Sequence, residues 1–300
     1  MFTSFLKSAN TVIIGKEQQI KLVLCCLLSK GHLLIEDLPG MGKTTLAHLI
    51  ARLFGLDFSR IQFTSDMLPA DIIGINIFDK NSNQFQFQHG PIFSQLVLAD
   101  EINRTTAKTQ SALLEAMEEN QVSVDGTTYP LKHPFFVIAT QNPQSQAGTF
   151  SLPESQLDRF LMRIHLGYPD SDTERQILSG ENKRDVLERI QAIFSIEQLI
   201  QMQQQVEQVF MSEPILDYIQ SILSFSRSHK LFNIGLSPRA GLALVSASKA
   251  WAFIHQRKMI IPDDVNAVMA SIIVHRISLH EQQSMLPQQI LAEFEHLSVL

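Results

Sequence analysis

One stretch of the chain leaves little freedom of fold: Leu33-Leu34-Ile35-Glu36-Asp37-Leu38-Pro39-Gly40-Met41-Gly42-Lys43-Thr44-Thr45. An apolar run, a turn holding Gly40 and Gly42, and a Lys-Thr pair opening a helical pattern make a cradle for phosphate. The glycines lack Cβ, so backbone N–H groups can converge on an anion from a tight loop running from Pro39 through Met41 to Thr45. Lys43 is placed to reach the β- and γ-phosphates of a nucleoside triphosphate, and Thr44 to hold Mg²⁺. The usual loop starts with a glycine where this chain has Asp37.

A second element supports the first. Leu96-Val97-Leu98-Ala99-Asp100-Glu101 is an apolar strand ending in two carboxylates. That pattern delivers one acid, Asp100, to Mg²⁺ and a second, Glu101, to a water molecule. Catalysis also calls for a polar side chain that orients the attacking water. Asn142, just after the apolar run 135–140, fits that place.

Strand and helix patterns alternate up to about Pro169, over residues 32–36, 44–54, 58–63, 108–119, 135–140 and 163–166. Such alternation predicts an α/β fold, with a mostly parallel sheet, helices on both faces and the ligand at the carboxyl ends of the strands. Two β-hairpins are inserted, 75–79 with 84–88 and 121–124 with 128–131, each flanking a turn-rich stretch. Beyond Pro169 strand signals stop. Helical spacing governs 195–209, 214–229, 238–256, 262–273 and 287–300, several with Pro at the first helical position. The glutamine-dense stretch 198–208 keeps an apolar face and reads as a packed helix. The expected division is 1–169 for the α/β nucleotide-binding core and 170–300 for a small all-helical lid.

Composition narrows the class. A net charge of −6 over 300 residues does not favour a nucleic-acid glove, and the hairpins carry few Lys or Arg. Cys25 and Cys26 sit side by side in an apolar helical run and read as core residues of a reducing compartment. The first residues lack a basic region followed by an apolar one, and the longest apolar run falls far short of the ~20 residues that span a bilayer. The expectation is a cytoplasmic protein without direct membrane insertion. The histidines show no metal-like spacing, and no zinc site is expected.

Further segments carry a resemblance: Gly90-Pro91-Ile92-Phe93, Ala99-Asp100-Glu101-Ile102-Asn103-Arg104, residues 108–119, Ala139-Thr140-Gln141-Asn142-Pro143, Leu152-Pro153-Glu154, Gln156-Leu157-Asp158-Arg159-Phe160 and Ser237-Pro238-Arg239-Ala240. From about Ile13 to Arg276 the chain resembles the MoxR family of AAA+ ATPases. The family tolerates an acidic residue before its Pro-Gly turn, which accommodates Asp37. The resemblance implies a P-loop AAA+ core with a helical lid, ATP and Mg²⁺ as cofactors, and a homo-oligomeric ring, expected as a hexamer. It assigns Asn142 as sensor 1, Arg159 as the arginine finger that completes a neighbour's site, and Arg239 as sensor 2. Arg163, four residues on, fits the finger role as well. Ile13, Ile14 and Gly15 resemble the segment lining the adenine pocket. Hydrolysis would drive remodelling or maturation of a client protein, with an adaptor carrying a von Willebrand factor A domain. The alternatives are a nucleic-acid motor, which the acidic charge opposes, and a slow regulatory switch, which Glu101 and Asn142 oppose.

Overall fold

The computed structural model describes residues 2–142, 150, 152–180, 183–280, 287–294 and 296–297. Its strands, in chain order, are β1 Leu33–Glu36, β2 Phe58–Gln62, β3 Gly74–Asp79, β4 Gln84–His89, β5 Leu96–Asp100, β6 Gln121–Val124, β7 Thr127–Pro130, β8 Phe136–Gln141, β9 Met162–Ile164, β10 Phe232–Ile234 and β11 Ser278–Leu279. Five of them form a parallel sheet in the order β2-β5-β8-β1-β9.

Alternation along these strands divides the core into two layers, because successive side chains leave a strand on opposite faces. Leu33, Ile35, Leu96, Leu98, Phe136 and Ile138 point to one face, where they meet helices Glu17–Leu28 and Lys43–Phe54. Leu34, Val97, Ala99, Val137 and Ala139 point to the other, under helices Pro69–Ile73 and Ala107–Glu119. With both faces covered, β5 and β8 are buried along their whole length, as a parallel sheet requires. Glu36, Gln62, Asp100 and Gln141 end four neighbouring strands at the same edge. Cys25 and Cys26 are buried in the first layer, where burial pushes both thiols up.

The expected hairpins pair as β3–β4 and β6–β7. They also hold one another: Phe87 stacks on Tyr129 with ring centroids 4.2 Å apart, and Asn76 Nδ2 donates to Asp125 Oδ2 at 2.6 Å.

The C-terminal part is built on helices Ser171–Ser179, Lys183–Arg189, Ile196–Glu207, Glu213–Ser228, Pro238–Ile254, Pro262–Ile273 and Pro287–Ala292. The glutamine-dense segment is helical and packed. Ser195 caps it in a box with Gln198, and Leu199, Met202 and Val206 are buried. This part is not wholly helical, since β10 and β11 form an antiparallel ribbon. Two- and three-residue strands are too short to show a period of two in sequence. The last expected helix ends at Ala292, and its residues 295 and 298–300 lie outside the described residues, as does Pro143. Helix Thr3–Val12 buries only Phe5, Ala9 and Val12, a stripe too thin to stand out in sequence. It matters nonetheless, because Phe2 and Phe5 pack with Phe54 and Phe194 and so join the α/β and helical parts. Among the described residues no helix is long and apolar enough to cross a membrane.

Candidate functional site

The phosphate loop leaves β1 and ends where Lys43 starts a helix. Gly40 and Gly42 take φ of +86° and +87°, a left-handed backbone open to glycine at little cost. Pro39, Gly40, Met41, Gly42, Lys43, Thr44 and Thr45 line a cavity of about 350 Å³ together with Asp100, Glu101 and Asn142. A Cβ built on Gly40 would meet nothing within 4 Å, so the loop encloses open space.

Lys43 is the hub of this cavity. Its ammonium donates to the Asp37 carbonyl at 2.5 Å and to Asn142 Oδ1 at 3.2 Å. Burial pushes its pKa down, against the pull of Asp37, Asp100, Glu101 and Glu36. Asn142 turns its other end to Glu101, donating from Nδ2 to Oε1 at 2.9 Å. The second oxygen of Glu101 accepts from Gln62 Nε2 at 3.1 Å and pairs with Arg104 at 3.2 Å. Glu101 itself sits at φ +57°, ψ 48°, a conformation that costs a non-glycine residue about 1 kcal/mol or more. Its N–H is held there by Thr140 Oγ1 at 2.9 Å, and the same hydroxyl donates to Asp100 Oδ1 at 2.6 Å. One buried threonine thus sets the backbone of one acid and the side chain of the other.

Asp37 explains its departure from glycine. Its carboxylate accepts from the Leu166 N–H and, at 3.2 Å, from the Gly167 N–H. The side chain ties the phosphate loop to the segment that follows β9. Of the expected adenine-side residues, Ile13 lies against the loop, with its Cδ1 4.0 Å from a Cβ built on Gly42. Gly15 instead packs on Thr173, and neither it nor Ile14 lines the phosphate cavity.

The expected arginines gather elsewhere. Arg159 and Arg239 line a separate cavity of about 610 Å³ between the sheet and the C-terminal helices. Both meet Glu118: Arg159 Nε at 3.2 Å from Oε2, and Arg239 through Oε1. Arg239 follows Ser237, whose hydroxyl accepts from the Ala240 N–H at 3.2 Å and so caps the helix that opens at Pro238. The two guanidiniums hold the Glu118 carboxyl below the usual carboxylate range. Arg163 is turned away and pairs with Glu36 at 3.1 Å. The structure therefore brings Lys43, Asp100, Glu101 and Asn142 together, and brings Arg159 to Arg239, but does not bring the two groups to one cavity.

Several residues of these sites escape a reading of local motifs. Arg60 and Gln62 alternate on β2 and come beside Asp100 and Glu101 only through strand pairing, Gln62 facing Asp100 in register. Two polar residues flanking the buried Ile61 on one strand are the one signal they leave. The Arg276 side chain is nearly inaccessible and donates to Asp158 Oδ1 at 2.7 Å and to the carbonyls of Phe160 and Leu161 at 2.6 and 3.2 Å. It pins the C-terminal helices to the strand segment bearing Arg159, over more than a hundred residues of sequence.

Comparison with known proteins agrees with this geometry. Residues 32–162 match the ATPase family associated with various cellular activities (AAA), and residues 224–294 match the AAA lid domain. The chain is 45% identical to the uncharacterized protein YeaC of Bacillus subtilis, over 91% of this chain and 85% of that protein. It is 39% identical to chaperone MoxR1 of Mycobacterium tuberculosis, over 89% of this chain and 73% of that protein. A crystal structure of a candidate ATPase from Cytophaga hutchinsonii superposes with a TM-score of 0.89 at 36% identity, covering 99% of this chain and 94% of that one. With this similarity to a MoxR chaperone over most of both chains, and with its phosphate loop, paired acids and lid, the chain belongs to the MoxR family of AAA+ ATPases.

Proposed function

We propose that the protein hydrolyses ATP in the cavity around Lys43 and uses the cycle to remodel or mature a client protein. The observation that carries this reading is Asn142, bonded at once to Lys43 and to Glu101. It links the cation that would meet the γ-phosphate to the carboxylate that would take a proton from water. The N–H groups of the loop from Pro39 to Thr45 would hold the phosphates, with Ile13, Ile14 and Gly15 on the adenine side.

The donors fit Mg²⁺, since a threonine hydroxyl (Thr44) and a carboxylate (Asp100) are hard oxygen ligands beside an open cradle. Bound there, the ion would neutralise charge on the β- and γ-phosphates. Glu101 would orient and deprotonate the attacking water, and Asn142 would hold Glu101 and that water in line.

Arg159 would complete the site of a neighbouring subunit in a ring, which we take as a hexamer, and Arg239 would serve as sensor 2, coupling nucleotide state to the angle between the domains. The separation of Arg159 from the cradle of its own chain supports the finger reading. We further assign residues 1–169 as the nucleotide-binding core and 170–300 as the lid, acting in the cytoplasm. The paired hairpins are assigned to the client or to an adaptor with a von Willebrand factor A domain. Phe78 and Phe85 are exposed on β3 and β4, which suits protein rather than nucleic acid.

Mixing two inactive variants tests the whole reading. Lys43→Ala subunits keep their arginines, and Arg159→Ala subunits keep their cradle. Mixed rings should regain part of the ATPase activity that neither variant has alone. No recovery in rings shown to be mixed would return the finger to Arg163 or to the same chain.

A further inference from the structure

We propose that Arg60 is the counter-ion of Asp100 in the metal-free protein and yields that carboxylate when Mg²⁺ binds with the nucleotide. This rests on the ATP reading above and adds a residue to it.

Both oxygens of Asp100 are engaged. Oδ1 accepts from Thr140 Oγ1 at 2.6 Å, and Oδ2 accepts from Arg60 Nη2 at 2.6 Å and Nε at 3.1 Å. Each carboxylate oxygen offers two acceptor sites, so Arg60 fills both on Oδ2, and for Asp100 to serve Mg²⁺ through Oδ2 the guanidinium must withdraw. Thr140 is fully buried and also holds the Glu101 N–H, so its departure would unseat the backbone of the second acid. Arg60 has no such duty. Its side chain is 46% exposed, it lies at the rim of the cavity, and its remaining bond is to Gln62 Oε1 at 2.7 Å.

Charge gives the exchange its direction. Asp100 and Glu101 are adjacent carboxylates facing the space a triphosphate would fill. Without a cation on Asp100, the approaching phosphates would meet a bare negative charge at short range. Arg60 cancels that charge. A divalent ion cancels it more fully, and the guanidinium is then redundant on Asp100.

The test is the metal dependence of binding, read with a fluorescent non-hydrolysable ATP analogue in excess EDTA or in Mg²⁺. Arg60→Gln should weaken metal-free binding roughly tenfold, the effect of about one ion pair, and change binding in Mg²⁺ by less than about threefold. The ratio of the two dissociation constants therefore rises. Arg60→Lys keeps the charge and should recover most of the metal-free affinity. An equal loss with and without Mg²⁺, an unchanged ratio, or a lysine variant no better than glutamine would overturn the proposal. If Lys43→Ala binds the analogue as well as the parent chain, the ATP reading itself fails, and the role of Arg60 with it.

Discussion

In the phosphate cavity each charged side chain meets its partner within a few strand ends. In the arginine cavity two cations from distant segments converge on a single carboxylate of their own chain. Lys43, Asp100 and Glu101 are joined by Asn142 and Thr140 into one network beside the phosphate loop. Arg159 and Arg239 share Glu118, with Asp158 3.9 Å from Arg239 and shared with Arg276. The first surrounds open space with paired charges. The second holds two guanidiniums against one carboxylate and so keeps an excess of positive charge.

The largest effect separates binding from chemistry within the cradle. Glu101→Gln should lower turnover by about 10³-fold, a barrier change near 4 kcal/mol, while ATP affinity stays close to that of the parent. Lys43→Ala should do the opposite and remove binding. Equilibrium binding and single-turnover hydrolysis, measured separately, distinguish them. Parental turnover in Glu101→Gln would mean that the network around Asn142 is structural.

Arg276 comes next, because the arginine cavity depends on it for shape. It is nearly inaccessible, and the Asp158 carboxylate and four backbone carbonyls converge on it. Arg276→Met should cost about 3 kcal/mol of stability, as breaking a buried pair leaves its partners unsatisfied. Urea unfolding measures this. A variant as stable as the parent would show that the C-terminal helices are held to the sheet by apolar packing alone.

The two cavities also differ in how far a sequence can disclose them. The cradle is legible because its chemistry is local: two glycines, Lys43 and Thr44 in one turn, Asp100 and Glu101 at the end of one apolar strand. The sheet was equally open to inspection, since buried parallel strands write themselves as short apolar runs between helical periods. What escaped depends on register and on long separations. Arg60 reaches Asp100 only because β2 pairs with β5, and Arg239 reaches Glu118 across 121 residues. The β10–β11 ribbon escaped because it is too short to set a pattern.

His32 lies at the opposite end of β1 from the phosphate loop and lines the arginine cavity. Its Nδ1 accepts from the Val137 N–H at 3.0 Å and its Nε2–H faces the Met117 carbonyl at 3.2 Å, so the neutral ring is fully used. Burial pushes its pKa down to about 4. Between pH 6.5 and 4 the unfolded chain therefore binds a proton there that the folded chain refuses. Stability should fall with acidification across that window, by about 1.4 kcal/mol per pH unit from this group. His275, buried against Arg276 and Arg163, is lowered as well and adds in the same direction. Unfolding midpoints from pH 7 to pH 4.5 should slope less steeply in His32→Gln. An identical slope would clear His32 of the acid sensitivity.

The smallest effect concerns the residue that departs from the usual phosphate loop. Asp37→Gly restores the common pattern, yet it should destabilise the protein by about 1–2 kcal/mol, because the Leu166 and Gly167 N–H groups lose their acceptor. ATP affinity should change little, since Lys43 uses the Asp37 backbone carbonyl, which glycine keeps. Asp37→Asn retains one acceptor oxygen and should fall between the two in stability. If Asp37→Gly instead loses ATP affinity at unchanged stability, the carboxylate acts on the ligand rather than on the chain. The cradle would then be less self-contained than its local motif suggests, and closer in kind to the arginine cavity.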